Sequence, residues 1–186
     1  MTRFVRTLQM PLGGALAERL ALSSFFLAGT FLGAFVEIPL PFTPVPLTLQ
    51  TLFVLLGGAW LGRSWGAGVQ GAYLALGGLG AGVFAGAASG LVHLTGPTAG
   101  YLWAFLPAAA LVGRCYPSAA RRGLLARVAL FAGADALVLA SGAAWLGWLL
   151  HLSPAQALLM GVAPFLPGEA LKVALAAQLG PRPDRI

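Results

Sequence analysis

The chain has 186 residues, of which 59% are hydrophobic and 9% charged, and it carries a net charge of +6. Soluble domains carry about 25% charged residues, so this composition excludes an ordinary water-soluble fold and points to an integral membrane protein. The positive surplus suggests nucleic acid only until the basic residues are placed, because their positions describe membrane topology instead.

In chain order, Arg3, Arg6 and Arg19 precede an apolar run over 20–38. The run is longer than a signal-peptide core and lacks a clear cleavage site, so it reads as an uncleaved first helix. Further apolar runs follow at 47–61, 66–85, 99–116, 124–150 and 155–179. The expectation is an all-α protein with six transmembrane helices in a single membrane domain, residues 1–186, with structured outer loops. Two spans are short for a hydrocarbon core of ~30 Å. The 26 glycines and 13 prolines imply close helix contacts and interrupted helices. Cys115 is alone, so no disulfide framework exists within the chain.

The charges test this division. With a cytoplasmic N-terminus, the inner segments hold Arg3, Arg6, Arg19, Arg63, Arg114, Arg121, Arg122, Arg127, Arg182 and Arg185, ten of the eleven Lys and Arg residues. The outer loops, about 39–46, 86–98 and 151–154, hold none. The positive-inside rule therefore selects six helices with both termini in the cytoplasm, in a multi-pass membrane protein. Lys172, inside the sixth span, is the exception.

The first outer loop carries Pro39, Pro41, Pro44 and Pro46, which hold it extended and stiff, with Thr43, Thr48 and Gln50 at its inner edge. Those three polar residues suit a ligand, a helix cap or a bond to a neighbouring helix. The second outer loop is glycine-rich, and Phe84 and Tyr101 at its ends suit the two faces of a flat ligand. Tyr101 with Trp103 reads equally as an interfacial aromatic pair. His93 and His151 have no carboxylate or cysteine at ligand spacing, so no metal site is expected.

The sixth span contains Pro164, Pro167 and Gly168, which break the helix just before Glu169 and Lys172. Three residues apart on a restarted helix, these two share a face and neutralise each other. They read as a structural ion pair or as the polar anchor of a solute site. Asp135, midway along the fifth span, pairs with Lys172, relays a proton or sits protonated between helices. Glu37 reads as a solvated interface residue. Ala17 and Ala21, like Gly29 and Gly33, are spaced for close approach of another helix, within the chain or from a membrane partner. The chain has no G-x-x-x-x-G-K-[ST] sequence and therefore no P-loop for ATP. Ser89 and His93 match no nucleophile motif, and no catalytic residue is assigned.

Four ordered blocks resemble the BioY family, the biotin-specific substrate-binding (S) components of energy-coupling factor (ECF) transporters. They are Pro41-Phe-Thr-Pro-Val-Pro with Thr48-Leu-Gln-Thr51, Gly71-Ala-Tyr-Leu with Val83-Phe-Ala-Gly86, Gly96-Pro-Thr-Ala-Gly-Tyr101, and Pro164-Phe-Leu-Pro-Gly-Glu-Ala-Leu-Lys172. Glu169 stands where the family pattern has aspartate. The resemblance implies a non-enzymatic protein without a cofactor, which captures biotin from outside. It also implies a transmembrane coupling subunit and two ABC-type ATPases as partners, with a homo-oligomer as a further possibility and no role for nucleic acid. Glu169 and Lys172 then form the polar end of the pocket at the ureido ring, with Gln50 or Thr43 nearby. Phe84, Tyr73 and Tyr101 supply apolar walls, and backbone around Gly90 and Thr98 supplies further bonds. Other readings are an S component for another vitamin, a proton-coupled carrier using Asp135 and Glu169, and an intramembrane serine hydrolase on Ser89.

Overall fold

The structure is a computed structural model that describes residues 12–182. Arg3, Arg6 and Arg185 of the charge pattern lie outside the described residues. Among the described residues, six α-helices run in order: α1 (Leu12–Phe35), α2 (Gln50–Gly78), α3 (Ala99–Arg122), α4 (Leu124–Leu149), α5 (Pro154–Gly161) and α6 (Leu166–Leu179).

The second and third predicted spans are the two arms of α2. Gly62 interrupts it with φ +78° and ψ −179°, a conformation that favours glycine, and the chain reverses there. The reversal is shown by Gln50 and Tyr73, whose side chains are hydrogen-bonded. In a straight helix these residues would lie about 35 Å apart. Small residues then let the arms and their neighbours close up. A Cβ on Gly66 would stand 2.9 Å from Gly58 Cα, and one on Gly58 would stand 3.1 Å from Ala109 Cα of α3. A Cβ on Gly113 would overlap the Gly62–Arg63 backbone, so α3 is seated directly on the hairpin turn.

Helix α1 packs on α2 in the same way. Gly29 faces the Phe53 ring, and a Cβ on Gly33 would stand 3.1 Å from Gln50 N. This pair of glycines therefore serves packing within the chain, whereas Ala17 and Ala21 are exposed. Gly123, with φ +98°, is the single residue between α3 and α4.

One span departs from the sequence expectation and another follows it. The third was placed to residue 85, but α2 ends at Gly78, where Gly80 takes φ +104° and a loop begins. That loop contains a short 3-10 turn, Ala85–Ala87, and a bridge between Phe84 and Ala88. It is tied to the bundle by indole donors: Trp145 Nε1 to Gly96 O at 2.8 Å and Trp103 Nε1 to Leu94 O at 3.1 Å. The sixth span is broken into α5 and α6, bent by 56°.

The all-helical expectation also missed a small antiparallel pairing of β1 (Glu37–Ile38) with β2 (Leu47–Thr48). It closes the proline loop at its base, and Glu37 is half-buried there rather than solvated. The prolines keep the intervening chain extended, so the two short strands meet where it leaves and rejoins the bundle.

Leu16–Phe35 and Leu124–Leu149 are each long and apolar enough to cross a membrane, and α5 with α6 qualifies as one broken span. Large apolar side chains such as Phe25, Leu32, Trp148 and Leu171 face outward, as a lipid-facing surface requires. The core lies between the α2 hairpin, α3 and α4, around Tyr73, Phe105, Tyr116 and Phe131. Among the described residues, the hairpin turn at Gly62 and most of the arginines share one end of the bundle, and the two long loops share the other.

Gly113→Ala is expected to lower stability by about 1–3 kcal/mol, because the added methyl meets backbone rather than a movable side chain. Gly68, with open space around its Cα, should accept alanine without loss. Thermal unfolding of the two variants in detergent checks this contrast, and equal midpoints would contradict the seating of α3 on the hairpin turn.

Candidate functional site

The site begins where α6 restarts. Pro167 lies in the first turn, where its missing N–H costs no helical bond, and Glu169 follows in the same turn, where the helix dipole favours a carboxylate. Gly168 leaves room for Leu47 of β2, whose Cδ atoms would stand 3.0 Å from a Cβ there. This contact brings the start of α2 against α6.

Across that contact, three side chains form a closed polar cluster. Lys172 Nζ donates to Thr48 O at 2.7 Å, to Thr51 Oγ1 at 2.7 Å and to Glu169 Oε1. Thr51 Oγ1 in turn donates to Glu169 Oε2 at 2.8 Å. Glu169 and Lys172 are 5% and 4% exposed, so the pair is buried, and a buried pair is tolerable only when its remaining donors and acceptors are met. Lys172 has three N–H donors and three acceptors.

A second chain of hydrogen bonds starts beside it. Thr48 Oγ1 donates to Gln50 Oε1 at 3.0 Å, Gln50 Nε2 donates to Tyr73 OH, and Tyr73 OH donates to Val83 O at 2.9 Å. Phe84, the next residue, meets the Tyr73 ring edge-on at 5.5 Å, and Gly77 leaves the space that its ring fills. The position of the second loop is thus set from the α2 hairpin.

Between these groups lies a cavity with about 560 Å³ of atom-free space, part of it continuous with solvent. Glu169, Thr51, Gln50 and Thr48 line its polar side. Phe84, Tyr101, Phe105, Val138, Leu139 and Phe165 are prominent on its apolar side. Tyr101 is buried, and its OH donates to Gly161 O at 2.7 Å, satisfying a carbonyl freed by the α5–α6 break. It is therefore not an interfacial aromatic, whereas Trp103 is half exposed. An apolar vessel with a few fixed polar groups at one side suits a small, mostly apolar ligand with one hydrogen-bonding end.

Comparison with known proteins narrows the reading. The BioY family model matches residues 5–186. The chain belongs to the BioY family. A probable biotin transporter BioY from Pyrococcus horikoshii is 35% identical over 166 residues, covering 89% of this chain and 96% of the relative. A biotin transporter BioY from Thermotoga maritima is 33% identical over 175 residues, covering 89% and 95%. The solved structure of the S-component for biotin from an ECF-type ABC transporter superposes with a TM-score of 0.84 at 26% identity, covering 91% of this chain and 92% of that one. The fold is therefore that of a helical membrane protein of the BioY family.

Of the residues singled out in the sequence, Gln50, Phe84, Thr98, Tyr101 and Glu169 line the cavity. Four others do not line it. Lys172 lies beneath Glu169; Tyr73 supports Gln50 and Phe84; Thr43 Oγ1 accepts from Val45 N at 3.4 Å within the first loop. Gly90 N donates to Gly77 O at 2.7 Å and takes φ +89°, so it anchors the second loop. Thr51 was quoted only as part of a motif, yet it joins both members of the ion pair; its spacing of 118 residues from Glu169 gives no local signal. Phe165, like Thr51, appears only within a motif, and Phe105, Val138 and Leu139 were missed. Among the described residues, no group of three or more His, Cys, Asp or Glu is placed to hold a metal ion.

Lys172→Met should cost about 3–5 kcal/mol by leaving Glu169 buried and unpaired, and Thr51→Val about 1–3 kcal/mol. A double variant, Lys172→Met with Glu169→Gln, is expected to be less destabilised than the sum of its parts, because the unpaired charge is gone. Chemical or thermal unfolding of the wild type, the single variants Lys172→Met and Glu169→Gln, and the double variant measures the coupling; strict additivity would show that the pair does not interact.

Proposed function

We propose that the chain captures biotin for uptake into the cell, as the substrate-binding component of an ECF transporter. The observation that carries this reading is the setting of Glu169: a carboxylate held by Thr51 and Lys172 at the polar side of an otherwise apolar cavity. Membership of the family and the likeness to the S-component for biotin support the ligand.

Biotin suits these surfaces. Its ureido N–H groups are donors that match the Glu169 carboxylate, and Thr51, Gln50 and Thr48 offer hydroxyl and amide groups to the ureido oxygen. The fused ring and the thioether lie against Phe84, Phe105, Leu139 and Phe165, where burial of apolar surface stabilises them by about 25 cal/mol per Å². The valerate chain leads toward the backbone around Thr98 and the second loop. Lys172 serves the ligand through Glu169, which it holds in place.

The arginines at the far end of the bundle set the orientation, with both termini in the cytoplasm and the cavity toward the outside of the plasma membrane. Because the chain lacks a P-loop, transport energy comes from partners: a transmembrane coupling subunit and two ABC-type ATPases, as the ECF context of its relative implies. The chain itself performs no covalent chemistry and needs no cofactor.

Equilibrium binding of biotin to the purified chain tests the proposal. Glu169→Ala and Lys172→Ala should each weaken binding more than tenfold, since each removes a buried partner. An analogue without the ureido group should lose more affinity than one whose carboxylate is amidated. Unchanged affinity in both alanine variants would sink the assignment of this cavity.

A further inference from the structure

Asp135 stands midway along α4 and is 5% exposed, and its Oδ1 is buried without a hydrogen-bond partner. Across from it on α6 stand Glu169, which borders the same opening between the two helices, and Lys172. Lys172 is not free to pair with Asp135. Its three N–H donors are already matched by Thr48 O, Thr51 Oγ1 and Glu169.

The local balance is thus two carboxyl groups against one ammonium. With both carboxyls ionised, the cluster would hold a net negative charge inside an apolar bundle and set two carboxylates side by side, which is costly in a membrane interior. One proton removes both penalties. The cluster becomes neutral, and Asp135 changes from an unmatched acceptor into a donor facing the Glu169 carboxylate.

The surroundings give this proton a place and a purpose. Asp135 and Glu169 line a second opening between α4 and α6, a groove open to the surroundings whose walls include Val128, Leu166 and Val173. Glu169 also borders the main cavity. It therefore stands between the two, held by Thr51 and Lys172 and approached by Asp135 from the side opening.

We propose that Asp135 and Glu169 share one proton, and that Asp135, as its donor, is a positioning residue that fixes the Glu169 carboxylate toward the ligand cavity. The step involves no covalent change beyond the placement of that proton. The proposal rests on the biotin reading only for its binding consequence.

Infrared spectroscopy of the purified chain in an ester-free detergent at neutral pH tests it directly. The wild-type protein should show the C=O stretch of a protonated carboxyl group, and D135N should lack it. Absence of the band in the wild type, or its persistence in D135N, overturns the proposal, and the wild-type measurement decides even if a variant fails to fold. For binding, D135N keeps an N–H donor beside Glu169 and D135L does not, so biotin affinity should be at least fivefold weaker in D135L than in D135N. Equal affinities overturn the positioning role. If the chain binds no biotin at all, the ligand reading fails while the infrared band still reports the proton.

Discussion

The structure depends on how a carboxylate and an ammonium are kept in the interior of a membrane bundle. Isolated, each would cost several kcal/mol even after relaxation. The fold supplies what each lacks: Thr51 from the start of α2 gives one hydroxyl to both, the Thr48 carbonyl takes a third ammonium proton, and the restarted N-terminus of α6 favours the carboxylate. None of these groups is adjacent to Glu169 in sequence except through the helix that carries it. The cluster therefore forms only when α2, β2 and α6 have all arrived, and it fastens the first loop to the broken sixth span.

That assembly requires backbones to approach more closely than ordinary side chains permit. The hairpin of α2 turns at Gly62, closes through Gly58 and Gly66, and receives α3 at Gly113. In lipid, where apolar surfaces gain little from meeting one another, such close packing and interhelical hydrogen bonds carry the association. The same hairpin sets the Gln50–Tyr73–Val83 relay, so the packing that builds the bundle also positions the polar edge of the cavity and the ring of Phe84. Fold and site share their supports.

Much of this was legible in the sequence, for identifiable reasons. Charge and proline are expensive in an apolar segment, so Glu169, Lys172 and the broken sixth span announced themselves, and the prolines of the first loop gave its extended form. Other features had no local signal. The apolar walls at Phe105, Val138, Leu139 and Phe165 look in sequence like side chains that face lipid, because in a membrane protein both are apolar. Thr51 resembles any helical threonine until α6 packs beside it. Tyr73 and Lys172 were legible as important but not as supports, since depth behind a cavity wall is a property of packing. The third span was placed too long because hydropathy does not register the glycine-driven turn that ends α2 at Gly78.

The most direct measurement of the central claim is an experimental structure of the purified chain with biotin bound. The account predicts the ureido ring at Glu169, with the fused ring system between Phe84, Phe105 and Phe165 and the valerate chain directed toward Thr98. Biotin bound elsewhere, or bound in this cavity with its carboxylate rather than its ureido ring against Glu169, would contradict it.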